Sequence, residues 1–387
     1  MQADRGSDRL STTRGPLLQV AGRLGLIGRS GSSVAAGLAI GAGLWLVLVL
    51  LAHVEGVGHR LWTLEAIAGH VRLLLVIPLL FLAESMFEPR VRDWIAMLLR
   101  YRIVPEAEQS RFEQTAALFD RRRHSWVAEL LALAVAAALS VPGVFNVQFG
   151  ATAAFDPARA DAAFSLAGTW YWYVALTVFR FLVLRWLWHL GLWWLLLWRI
   201  SRLPLRLIAT HPDRAGGLGF VEVVQGQLLP LVVAISALQA AALSESVASG
   251  MDGLEILAPA MLVTLVAEAL LLIGPTFLFF RTLWAHRVEA LRKYMGLASL
   301  FVDRFHQTWA EPPEVVNDDL VNSGQWSSLT DMGASVNVVQ EMRLIPVSPR
   351  FLVQVALAGI LPALPLLLLK YPVSDLASNV VTQILGL

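Results

Sequence analysis

The chain has 387 residues, 57% hydrophobic and 15% charged, with a mean hydropathy of +0.63 and a formal net charge of +1. A soluble domain carries about 25% charged residues, so the excess apolar surface points to lipid, and the near-zero net charge excludes a dedicated nucleic-acid binder. The lack of cysteine excludes disulfides, thiolate metal sites, iron–sulfur clusters and cysteine nucleophiles.

In chain order, residues 1–33 read as a cytoplasmic tail, with five Arg and two Asp before Ser30. A signal peptide does not fit, because the apolar stretch that follows is long enough to span and shows no small-residue cleavage pattern. A crossing helix needs about 20 apolar residues, and seven stretches meet that: 34–54, 66–87, 125–145, 170–198, 227–245, 257–280 and 351–369. Between the second and third, the spacing of Val91, Trp94, Ile95, Leu98 and Leu99 predicts an amphipathic helix near the membrane surface. In 281–350, helical spacing extends the sixth span to about Trp309, Pro312 and Pro313 break it, and a second helix follows over about 318–343. The expected organisation is therefore the tail, a block of six spans over 34–280 with cytoplasmic loops 88–124 and 199–226, a cytoplasmic helical region 281–350, and a last span with an outer tail over 351–387.

The distribution of Lys and Arg orients the chain, because cytoplasmic loops retain positive charge. Outside the spans the segments carry 5, 1, 8, 1, 4, 0, 7 and 1 basic residues in order. This unbroken alternation places 24 inside and 3 outside, with Arg72, Arg180 and Arg185 within spans. The fold expected is an all-α polytopic bundle of about seven spans, N-terminus in and C-terminus out, in a bacterial cytoplasmic membrane. A retinal protein is excluded, since it would have the opposite orientation and a Lys buried in the last helix.

Charge within a span is costly and usually has a partner or a polar cavity. Arg180 and Glu268 lie at matching depths, about 15 Å from the outer face at 1.5 Å per residue, and are expected to face each other or share a cavity. Arg185 and His189 share one helix face at i,i+4, with Glu84 and Glu129 placed to answer them from the inner half. The bland alternative is a set of structural ion pairs, with Arg185 reaching to the headgroups. Seven of the 14 Trp fall within 170–198 and read as interfacial belt and helix packing. Gly37 and Gly41 form a GxxxG face suited to close helix contact or self-association.

The most distinctive run is His211-Pro212-Asp213-Arg214-Ala215-Gly216-Gly217-Leu218-Gly219-Phe220. His211, Asp213 and Arg214 beside Gly216, Gly217 and Gly219 make it a candidate for an anion, a phosphate headgroup or a metal ion; the alternative is a Gly-rich turn between spans. With Asp331-Met332-Gly333 and Met342-Arg343-Leu344-Ile345-Pro346, the run resembles a family of uncharacterised bacterial multispanning membrane proteins. The resemblance covers about the C-terminal half and implies the class of chain, without an activity. No metalloprotease, serine-hydrolase or kinase motif is present, so no catalytic residue, resident metal or cofactor is expected. The leading function is an ion or small-solute channel or transporter built around the intramembrane charges. The alternative is a non-conducting scaffold or sensor that binds a protein or lipid headgroup through its cytoplasmic helices and Gly-rich loop. Candidate partners are membrane lipids, a second copy of the chain, and an ion or small solute, with no nucleic acid.

Overall fold

The computed structural model describes residues 33–63, 66–141, 166–248, 253–310 and 324–365, and every regular element among them is helical. Five helices are long and apolar enough to cross a membrane: Ser33–Val54, Ile67–Arg100, Leu166–Ser201, Phe220–Ser244 and Pro259–Thr308. Two shorter apolar helices, Trp126–Leu139 and Pro349–Ala363, stand where the third and seventh spans were expected. The remainder of those two spans, the tail 1–32 and the expected outer tail 370–387 lie outside the described residues. The elements are α1 (Ser33–Val54), α2 (Ile67–Arg100), α3 (Gln109–Arg123), α4 (Trp126–Leu139), α5 (Leu166–Ser201), α6 (Phe220–Gly226), α7 (Leu229–Ala248), α8 (Gly253–Ile273), α9 (Phe280–Phe305), α10 (Gln325–Gln340) and α11 (Pro349–Ile360).

α1 carries no charged side chain, and its small residues set how closely it meets α2. A Cβ at Gly37 would stand 2.8 Å from Phe81 Cβ, and one at Gly41 would run into the Leu73 carbonyl oxygen. The GxxxG face is therefore occupied by α2 of the same chain, and it does not present the self-association surface that its spacing also allowed. α4 packs along α5, α7 packs on α2, α8 and α11, and the short turn after α8 meets α5.

α2 has 34 residues, about 51 Å at 1.5 Å per residue, which exceeds a hydrocarbon core of about 30 Å. The segment expected as a separate surface helix is the end of this rod. Val91, Trp94, Ile95 and Leu98 are buried, with the Trp94 ring 5.4 Å from that of Trp193 on α5. Their apolar stripe faces protein instead of headgroups, because α5 and α6 extend alongside it. Two π-helical stretches, Val71–Val76 in α2 and Tyr171–Ala175 in α5, meet where Arg72 Nη1 donates to the Tyr171 hydroxyl at 2.5 Å.

At one end of the bundle three connecting segments are tied together. The Arg206 amide donates to the Ile103 carbonyl at 2.8 Å, and the Arg343 amide to the Arg214 carbonyl at 2.6 Å. Glu222 accepts from both the amide and the hydroxyl of Ser348, whose Oγ also caps the start of α11 by accepting from the Phe351 amide. At the opposite end the Glu55 carboxylate takes the amides of Leu166 and Ala167, the open donors at the start of α5. α9 continues beyond the apolar part of its rod and pairs with α10, with Arg287 Nη2 donating to the Gln340 carbonyl at 2.5 Å.

Candidate functional site

The charges expected in the inner half converge. Arg185, 6% exposed, makes a two-pronged contact with Glu84: Nη1 donates to Oε2 at 2.8 Å and Nη2 to Oε1. Its Nε lies 3.5 Å from Glu129 Oε1. One turn along α2, Glu88 takes Arg123 and Arg92, each at 3.2 Å. Three carboxylates thus face three guanidinium groups across α2, α3, α4 and α5. A guanidinium fork matches a carboxylate geometrically, which explains why Arg stands here. His189 is buried one turn beyond Arg185, with its ring 5.9 Å from that of Trp186. Sequence reading missed Glu88 and Arg123; the i,i+4 spacing of Glu84, Glu88 and Arg92 was the available signal.

The expected meeting of Arg180 and Glu268 does not occur. Arg180, 1% exposed, donates from Nη1 to the Leu139 carbonyl at 2.5 Å and the Ser140 hydroxyl at 3.1 Å, with its guanidinium carbon 5.8 Å from the Trp172 ring. It caps the last turn of α4, where unpaired carbonyls and the helix dipole favour a cation. Glu268, 2% exposed, lies in another layer, among α7, α8 and α11. Its Oε1 accepts from the Ser236 hydroxyl at 2.8 Å, while Oε2 has no hydrogen-bond partner among the described residues. The expected match in depth rested on segment length and carried no information on which helices are neighbours.

The Gly-rich run folds around its own carboxylate. Asp213 accepts the amides of Ala215 and Gly219 at 2.8 Å each and of Gly217 at 3.0 Å, and lies 2.8 Å from His211 Nδ1. Arg214, Gly216 and Gly217 have positive φ of 54°, 67° and 99°, the left-handed region that turns the amides inward. Burial pushes the Asp213 carboxyl up, but the amides of Ala215, Gly219 and Gly217 and the His211 side chain outweigh it and hold the group below the usual carboxylate range. The amides expected to meet an outside anion are taken by Asp213. Ala215 and Leu218 are fully buried, and Arg214 pairs with Glu341 at 3.0 Å. The run forms a turn between α5 and α6 that is bonded to the 341–348 segment.

Trp172, Trp186 and Trp193 of the α5 series are buried and Trp188 and Trp198 are exposed, so one helix presents Trp both to packing and to its outer face. The Trp186 indole donates to the Leu80 carbonyl at 3.1 Å, and the Trp193 ring is 5.4 Å from that of Phe87. Glu222 and Tyr171 also went unread, since neither lies in a motif. Among the described residues no group of three His, Asp or Glu side chains could hold a metal ion. No protein-family model matches the chain, and neither a curated protein nor a solved structure matches it.

Proposed function

We propose that this protein is a non-conducting membrane scaffold or sensor that offers its α9–α10 hairpin to a helix of a partner protein. The observation that carries this reading is the exposed apolar ridge on α9, formed by Trp284, Val288, Met295 and Val302. These positions fall in a 3-4 repeat with Leu291, Ala298 and Phe305, the pattern that seats one helix on another. α9 has 26 residues, about 39 Å, and the ridge lies beyond the expected end of the sixth span at residue 280. The inner charges favour the same reading, because each is matched within the protein and leaves no excess to draw an ion.

The chain is read here as crossing a bacterial cytoplasmic membrane seven times, N-terminus in and C-terminus out. The alternation of basic segments supports this, and so does the resemblance carried by the Gly-rich run. The bonds joining Ile103 to Arg206 and Arg214 to Arg343 link three segments assigned inside, and Glu55 with Leu166 and Ala167 links two assigned outside.

The test is site-specific photo-crosslinking from position 295 in native membranes, paired with ion flux in liposomes. A discrete adduct abolished by Val288→Asp with Val302→Asp, and flux no greater than in protein-free vesicles, is the expected result. An adduct of twice the chain mass would make the partner a second copy. Unchanged labelling in the Asp variants would sink the reading. One observation favours the channel or transporter alternative, namely the unpartnered Glu268 Oε2. Flux that Glu268→Gln alters would give that alternative the lead.

A further inference from the structure

A cleft of about 560 Å³ lies between α4 and α5 beside the end of α3, within the range of about 300–1,000 Å³ that ligand pockets occupy. Its walls are apolar, with Leu131, Ala132, Val135 and Leu187, and its mouth holds Arg122 and Ser125. Position 125 to position 135 along α4 is about 15 Å, half of a hydrocarbon core of about 30 Å. The cleft therefore has the depth of a single leaflet, with its polar end on the side where Arg121, Arg122 and Arg123 cluster.

The charge at the mouth is selective in kind. Arg123 is committed to Glu88, Glu129 to Arg185, and Asp120 lies 3.5 Å from His124. Arg122 has no ion pair among the described residues and is exposed. Its backbone is fixed to the cleft wall, since the Trp188 indole donates to the Arg122 carbonyl at 3.3 Å. An unpaired guanidinium above an apolar slot one leaflet deep complements a ligand with a phosphate at one end and a hydrocarbon chain at the other.

We infer that this cleft is a binding site for an anionic glycerophospholipid of the leaflet on the basic side, one acyl chain lying between α4 and α5 and the phosphate facing Arg122. The site does not depend on the hairpin reading, because it shares no residue with α9 or α10. The zwitterionic lipid of equal chain length is the discriminating competitor, since it fills the slot equally well and brings no net charge to the mouth.

The experiment is native mass spectrometry of the full-length protein in detergent, titrated with phosphatidylglycerol or phosphatidylcholine of matched chains. Wild type should retain phosphatidylglycerol about fivefold better, the difference that one Arg near a membrane surface makes. Arg122→Gln should abolish that preference, and Ala132→Phe should lower retention of both lipids. Equal retention of the two lipids by wild type, or a preference that survives Arg122→Gln, overturns the site. A second measurement needs no change at the site's charge: phosphatidylglycerol with brominated chains should quench Trp188 at lower mole fraction than brominated phosphatidylcholine, with the Trp188 signal taken by difference from Trp188→Phe. Equal quenching by both lipids also overturns it.

Discussion

Replacing Arg185 with Met should unfold the bundle far more readily than removing its charge partners along with it. Arg185→Met leaves Glu84 and Glu129, both buried, with no guanidinium between them. Breaking a buried pair in this way costs about 3–5 kcal/mol, while replacing the whole set by apolar groups of similar volume is near neutral or stabilising. At about 1.4 kcal/mol per tenfold, the single variant should lose two to three and a half decades in the folded-to-unfolded ratio. The combined variant Glu84→Leu, Glu129→Leu, Arg185→Met should recover most of that loss. Unfolding in mixed micelles, followed by fluorescence of the 14 tryptophans, reads both. A single-variant loss under about 1 kcal/mol, or a combined variant no better than the single, would refute the view that these charges serve each other.

Gly41→Val should separate α1 from α2, since a Cβ there meets the Leu73 carbonyl and not a movable side chain; a disulfide trap between engineered cysteines on the two helices should form in wild type and fail in the variant. Gly217→Ala combines a φ of 99° with a Cβ only 2.9 Å from Ile103 Cδ1 and should cost about 1–3 kcal/mol, whereas Gly333→Ala, with nothing within 4 Å, should be neutral or slightly stabilising. Because the folded Asp213 carboxyl is held below its ordinary value, its contribution is present above about pH 4 and is lost as pH falls through the folded value. Hydrogen exchange at the amides of Ala215, Gly217 and Gly219 should show that acid step in wild type, and Asp213→Asn should remove the step and lower protection at neutral pH.

Helical class and five apolar segments long enough to cross a membrane were legible because they depend on a local quantity, the length of apolar runs. The inner charge cluster was partly legible for a related reason: i,i+4 spacing fixes the face that Arg185 and His189 share before any neighbour is known. What failed was adjacency. Arg180 and Glu268 were expected at the same depth but have different neighbours, and depth along a helix says nothing about its position in the plane of the membrane. The stripe Val91 to Leu98 shows the same gap, because an apolar face alone does not distinguish lipid from protein as its cover. In the Gly-rich run the residues that suggested ligand capture fold around Asp213, which supplies the anion internally, a fold-back visible only once the positive φ angles are known.

The two π-helical stretches carry a consequence for how length changes are tolerated. A π turn holds one residue more than the α turns around it, so α2 changes phase by about 100° between Ile67 and Ile77. The phase change allows Arg72 to point at Tyr171 while Glu84, further along the same rod, points at Arg185. Deleting one residue within 71–76 would restore ordinary winding and turn every side chain on one flank of the deletion by that angle. Such a shortened rod would be regular, apolar and still long enough to span, yet its two polar contacts would be mutually exclusive, so the irregular turn acts as a clutch that lets one helix serve two differently aimed partners.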